Sequence, residues 1–210
     1  MGNENLIEVL KLISSKLIEN EKLLIELDSY IGDGDCGSGI KRGFETVLGM
    51  LPSVSDKSIS EIMKKAGFTL ASTIGGTSGA ILGTGFMEFG KAMDLIEEPS
   101  LSDWAMAAKK ALDKIKIRGE NTIVGDKTLV DALEPAVIKM SEYAEGEGND
   151  IEEMLNLAYM EAKKGSDSTK DMVARKGRAS YLGERTKGFV DPGSVVIYLI
   201  FEAALDFYKK

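Results

Sequence analysis

Residues 191–210, DPGSVVIYLIFEAALDFYKK, decide the fold class. Val195–Phe201 is an apolar run rich in β-branched residues, the best strand candidate in the chain. It continues without a break into EAALDFYKK, and Asp191-Pro192 places a good N-cap before a proline suited to a first helical turn. One long buried helix over 192–208 explains more of the stretch than a strand does. With that strand gone, little β signal is left.

Outward from this stretch the apolar spacing is helical almost throughout. Leu6, Leu10, Ile13, Leu17 and Leu24 line one face of 3–27. Ser58 with Glu61 and Asp150 with Glu153 have capping-box spacing, and Ser100 with Asp103 is a weaker version. The expected helices are 3–27, 37–51, 58–74, 78–95, 101–117, 127–144, 150–168 and 192–208. Eight helices with no linker and no internal repeat predict an all-α bundle or barrel and a single domain over 1–210. Ala66–Met87 is free of charge and long enough to cross a bilayer, but Gly75-Gly76 interrupts it. It reads as two helices meeting at a buried glycine turn.

Composition removes several classes of function. The 210 residues are 43% hydrophobic and 29% charged, which is ordinary globular composition. A net charge of −8 disfavours nucleic acid and anionic membranes as partners. One cysteine, Cys36, excludes an internal disulfide framework and fits a reducing, cytoplasmic compartment. The chain has no histidine. A Ser-His-Asp triad, a His-ligated zinc centre and a phosphohistidine carrier are therefore excluded. The start, MGNENLIEVLKL, has no basic n-region, so no signal peptide is expected.

Four segments resist the helical pattern: 28–37, 75–79, 119–129 and 174–193. The first, DSYIGDGDCG, matches G-x-G-x-x-G literally, but a helix precedes it and two carboxylates occupy the place where a pyrophosphate would approach. Asp28, Asp33 and Asp35 suit a hard cation such as magnesium, which binds few protein carboxylates and completes its octahedron with phosphate and water. A calcium EF-hand fails, because Gly37 and Phe44 occupy ligand positions. An Asx-rich turn that only caps helices is the plainer alternative. Gly75–Gly79 opens a helix, where free N–H groups can hold an anion or glycine can permit close packing. Residues 119–129 resemble a P-loop superficially, but Asp126 intervenes before Lys127, so the lysine takes no Walker role and Asp126 is read as a helix cap. Residues 172–190 carry a local charge of +4, which suits a mobile cationic lid over phosphates.

In this order ELDSYIGDGDCG, GGTSG, GDKTLVDAL and ARKGRASYLGERTKGFVDPG resemble the nucleotide-binding L subunits of dihydroxyacetone kinases over nearly the whole chain. The resemblance implies an antiparallel eight-helix barrel binding ADP or ATP at one end through two magnesium ions. It makes Asp28, Asp33 and Asp35 the metal ligands. It places Cys36, Gly37, Ser38, Gly39, Thr77 and Ser78 on the phosphate side. Gly119, Leu129, Arg178, Asp191, Pro192 and Gly193 surround the rest of the nucleotide, with adenine under 174–190. The acceptor would be dihydroxyacetone held on a histidine of a separate K subunit, and no general base falls on this chain.

Cys36 occupies a position that is often histidine in L subunits rephosphorylated by a phosphotransferase-system M subunit, and cysteine is more typical of ATP-dependent fused kinases. The donor, M subunit or ATP, thus stays open, as does the ketose. The fold also resembles the nucleotide domain of fatty-acid kinases, although the GDGDCG loop and the ARKGRASYLGER segment fit the dihydroxyacetone group better. An ADP-sensing regulatory role is a third possibility.

Overall fold

The computed structural model describes residues 3–146 and 148–209. Among them are nine α-helices and no strand. These are α1 (Asn3–Glu19), α2 (Glu21–Ile31), α3 (Cys36–Met50), α4 (Ile59–Thr73), α5 (Gly76–Ala92), α6 (Leu101–Arg118), α7 (Val130–Glu145), α8 (Ile151–Ser168) and α9 (Pro192–Tyr208). Short 3-10 segments cover Leu51–Val54, Thr169–Asp171 and Arg178–Thr186. The helix expected over 192–208 is α9, Pro192–Tyr208, as the continuity of the stretch predicts.

The expected count of eight α-helices is corrected to nine, because 3–27 is two helices. Asn20 leaves helical geometry at ψ 12°, and its side-chain amide donates to the Lys16 carbonyl at 2.8 Å. A local side-chain bond of this kind competes with helix continuation. The second piece then runs past residue 27 to Ile31.

Eight helices close a ring in which α3 through α9 each pack on the next, and α1 bridges α9 to α3. The short helix α2 packs across α3. Leu17, Leu24, Phe44, Val47, Leu70 and Met154, all fully buried, belong to a core shared by these helices. The charge-free run is explained by helix contact. A Cβ on Gly83 would lie 2.6 Å from the Gly67 carbonyl oxygen, so α4 and α5 approach backbone to backbone. The turn between them, Gly75-Gly76 with φ of +85° and +55°, is exposed rather than buried as expected. No helix among the described residues is long and apolar enough to cross a membrane.

The start signals act as the spacing predicts at Ser58 and Ser100, where full capping boxes form. At Asp150 the carboxylate accepts from the Glu152 N–H instead, with no box to Glu153. Asp191 caps α9 by accepting from the Ser194 N–H at 2.7 Å. Helix α7 starts at Val130, three residues later than expected, because Lys127 holds a left-handed φ of +59°.

Candidate functional site

The alternation of the ring brings the starts of α3, α5, α7 and α9 to one end, with the α2–α3 loop and the segment 174–190. At the α2–α3 loop, Asp28, Asp33 and Asp35 each bring a carboxylate oxygen within 4.8 Å of the others. Asp28 is 9% exposed, whereas Asp33 and Asp35 face solvent. The backbone shapes this cluster. A Cβ at Gly32 would lie 2.1 Å from Asp28 Oδ1, so glycine leaves the room that the carboxylate occupies. The Cys36 N–H donates to Asp28 Oδ2 at 3.1 Å, fixing the buried carboxylate against the first turn of α3. Desolvation, followed by repulsion from Asp33 and Asp28, raises the Asp35 carboxyl above its ordinary range. Three hard oxygen donors gathered this closely are a fitting set for a divalent cation.

Arg178 of the 174–190 segment forms an ion pair with Asp33. Around this pair, Ile31, Gly32, Asp33, Arg178, Tyr181 and Leu182 line an open cleft of about 470 Å³. The segment is not the open loop that its glycines suggest. It is wound into 3-10 turns over Arg178–Thr186, kinked at Gly183, and packs on α2. Phe189 at its end stacks on Tyr30 of α2, with ring centroids 4.6 Å apart.

The other sequence-predicted residues fall on the same end with different degrees of contact. Gly37 and Gly39 are buried, Ser38 is exposed, and a Cβ on Gly39 would meet the Ile74 carbonyl at 3.1 Å. This sets the first turn of α3 beside the α4–α5 turn, where Arg42 donates to the Thr73 and Ile74 carbonyls at 2.7 and 2.8 Å. Thr77 and Ser78 lie exposed in the first turn of α5. A Cβ on Gly193 would lie 3.4 Å from Leu129 Cβ, and Pro192 is buried, so the start of α9 abuts that of α7. Gly119 caps α6, with Lys176 donating to the neighbouring Glu120 carbonyl at 2.9 Å. Thr77, Ser78 and Gly119 make no hydrogen bond to the three aspartates.

Two titrating groups at this end are strongly perturbed. Burial pushes the Cys36 thiol up to about 12, with the nearby carboxylates adding to the shift, which disfavours the thiolate. Burial likewise pushes the Asp191 carboxyl up to about 7, against the opposing hydrogen bond from Ser194.

The loop 119–129 holds what the sequence reading missed. Asp126 does not cap α7; its carboxylate accepts from the Ile123 N–H at 3.1 Å within its own loop. Asp131 takes the organising role, accepting from Gly125 N–H at 2.6 Å and Thr128 N–H at 2.7 Å. Lys127, 1% exposed, donates to the carbonyls of Thr169 and Phe189. Its exclusion from a Walker role agrees with this geometry, since its ammonium is occupied by backbone. Nothing in residue type or spacing announces a buried left-handed lysine. The available signal was its place within an otherwise unexplained glycine loop.

Comparison with known proteins bears on this arrangement. The family model described as the DAK2 domain matches residues 30–206. The chain is 36% identical, over 85% of its length and 84% of the relative's, to the PEP-dependent dihydroxyacetone kinase ADP-binding subunit DhaL of Escherichia coli K12. It is 32% identical to a probable dihydroxyacetone kinase of Dictyostelium discoideum over 99% of its own length, but spans only 34% of that longer protein. The crystal structure of the dihydroxyacetone kinase from C. freundii in complex with AMP-PNP and Mg2+ superposes with a TM-score of 0.73 at 22% identity, covering 95% of this chain and 33% of that one. That likeness concerns the fold. The family model and the full-length bacterial relative together lead to one conclusion: the chain belongs to the DAK2-domain family, beside the DhaL-type subunits of dihydroxyacetone kinases.

Proposed function

We propose that this chain is the magnesium-nucleotide-binding subunit of a dihydroxyacetone-kinase-type phosphotransferase. The observation that carries the reading is the Asp28–Asp33–Asp35 cluster beside the Arg178-bearing cleft, in a chain of this family. Asp28, Asp33 and Asp35 would hold magnesium, in the two-ion arrangement that the resemblance implies. The relatives' names and the solved complex with AMP-PNP and Mg2+ support the nucleotide and the metal.

Magnesium bound there supplies neutralisation of phosphate charge and a template for the reacting oxygens. The chain's own residues do the rest by positioning. The N–H groups at the starts of α3 and α5, with Ser38, Thr77 and Ser78, face the phosphates as helix N-termini do. Arg178 leaves Asp33 for phosphate oxygens, where a guanidinium can donate in a fork. Leu129, Asp191, Pro192, Gly193 and Gly119 border the nucleoside under 174–190, and closure of that segment excludes water. The ketose-holding residue lies outside these 210 residues, because an adduct-forming histidine is absent here.

Reconstitution tests this reading. Purified chain mixed with a K subunit and magnesium should phosphorylate dihydroxyacetone, either with ATP over many turnovers or with phosphoenolpyruvate and an M-containing relay while ADP stays bound. Failure of both donors with Mg-ADP demonstrably bound contradicts the kinase reading and leaves nucleotide sensing.

A further inference from the structure

Residues 174–190 are fastened to the rest of the molecule at two roots, and both lead to one dipeptide. At the first root the Arg175 N–H donates to the Asp126 carbonyl at 3.0 Å, with the Arg175 guanidinium 3.9 Å from the Asp126 carboxylate. At the second, Lys127 donates to the Phe189 carbonyl, and the Gly188 N–H donates to the Lys170 carbonyl at 2.8 Å. The roots are stapled to each other by the Ala174 N–H, which donates to the buried Thr186 hydroxyl at 3.0 Å.

Lys127 is more than a tether for one strand of this knot. Its other bond goes to the Thr169 carbonyl, and the Thr169 hydroxyl accepts from the Asp191 N–H at 2.9 Å. The same ammonium thus fixes the end of the segment and, through Thr169, the cap of α9. Phe189, whose carbonyl it holds, stacks on Tyr30, two residues beyond Asp28. A lysine 1% exposed with a left-handed backbone is an expensive arrangement. Burial lowers the pKa of its ammonium, and Asp191, Asp131 and Asp171 around it offset that burial only in part. Its bonds go to carbonyl oxygens alone, so its ammonium is aimed at the roots of the segment and away from any phosphate.

We propose that Lys127 is a positioning residue that anchors the second root of 174–190 together with the α9 cap, and thereby sets how readily this segment opens over the site. The function of such an anchor rests on the reading of 174–190 as a lid on a bound nucleotide. The anchoring itself does not, so the two can fail separately. Removing the ammonium frees the Phe189 and Thr169 carbonyls together, which loosens the second root and the α9 cap in one step. The first root and the Thr186 staple then carry the segment alone.

Hydrogen exchange of the nucleotide-free protein tests the anchor. Lys127→Met is compared with Val47→Ala, a core substitution at the other end of α3, with the temperature adjusted so that both stand equally far below their melting points. Exchange at 174–191 should rise about tenfold or more in Lys127→Met and stay near wild type in Val47→Ala, because the charge-assisted bonds are lost at the second root and the α9 cap only. If Lys127→Met does not fold, Lys127→Gln, which keeps one amide donor, should show a smaller rise in the same segment. A rise spread evenly over all helices, or equal in the control, overturns the proposal. Release of a fluorescent ADP from the magnesium-loaded protein should accelerate in the same variant. Unchanged release with a loosened segment would overturn the lid reading while leaving the anchor in place.

Discussion

Asp191 joins three features at a single residue: it caps α9, it stands at the end of the ring that carries the three clustered aspartates, and its pKa is pushed up to about 7 by burial. A carboxyl raised on folding stabilises the protein fully below its unfolded pKa. That contribution is lost as pH rises through the folded value. In magnesium-free buffer, the melting temperature of Asp191→Asn should therefore gain on wild type as pH rises from about 5 to 7 and level off above that. Asparagine keeps the cap, so the cap itself does not distort the comparison. Parallel melting curves across this range would contradict a carboxyl whose charge is disfavoured by burial in the folded state. At this scale the sequence was legible where chemistry is local. The spacing of Asp28, Asp33 and Asp35 was enough to expect a cluster, and the structure brings their oxygens together. Lys127 was not legible, because its role depends on carbonyls 42 and 62 residues away.

Helices show the same division between local and distant causes. Periodicity and caps locate α3 to α9 to within a few residues, since apolar spacing and N-cap bonds act within a few turns. The break at Asn20 escaped because apolar spacing persists through it, while one side-chain bond to Lys16 ends the helix. The 174–190 segment was read as a loop from its glycines, and tertiary contact with α2 winds it into 3-10 turns. Its basic residues are nonetheless exposed at Arg175, Arg178, Arg185 and Lys187, which makes it a target for trypsin. Cleavage there should be slowed several-fold by Mg-ADP and not by ADP with a chelator, as contacts to phosphate close the segment. Equal rates under both conditions would show that the segment does not respond to the nucleotide.

Across the whole molecule, an antiparallel ring gathers four helix starts at one end of a chain with a net charge of −8. Helix N-termini favour anions, the three aspartates favour a cation, and Arg178 supplies a positive charge paired with Asp33. Neither set binds a nucleoside diphosphate well alone, since phosphate and carboxylate repel without a metal between them. Cooperation between metal and nucleotide is therefore the central claim of the proposed function. Calorimetric titration of ADP, with magnesium and with a chelator, into wild type and Asp33→Asn tests it most directly. Wild type should bind ADP at least about tenfold more tightly with magnesium, a difference of ~1.4 kcal/mol, and Asp33→Asn should lose most of that gain while keeping its helical content. Equal ADP affinity with and without magnesium in wild type, or an undiminished magnesium effect in Asp33→Asn, would contradict the account.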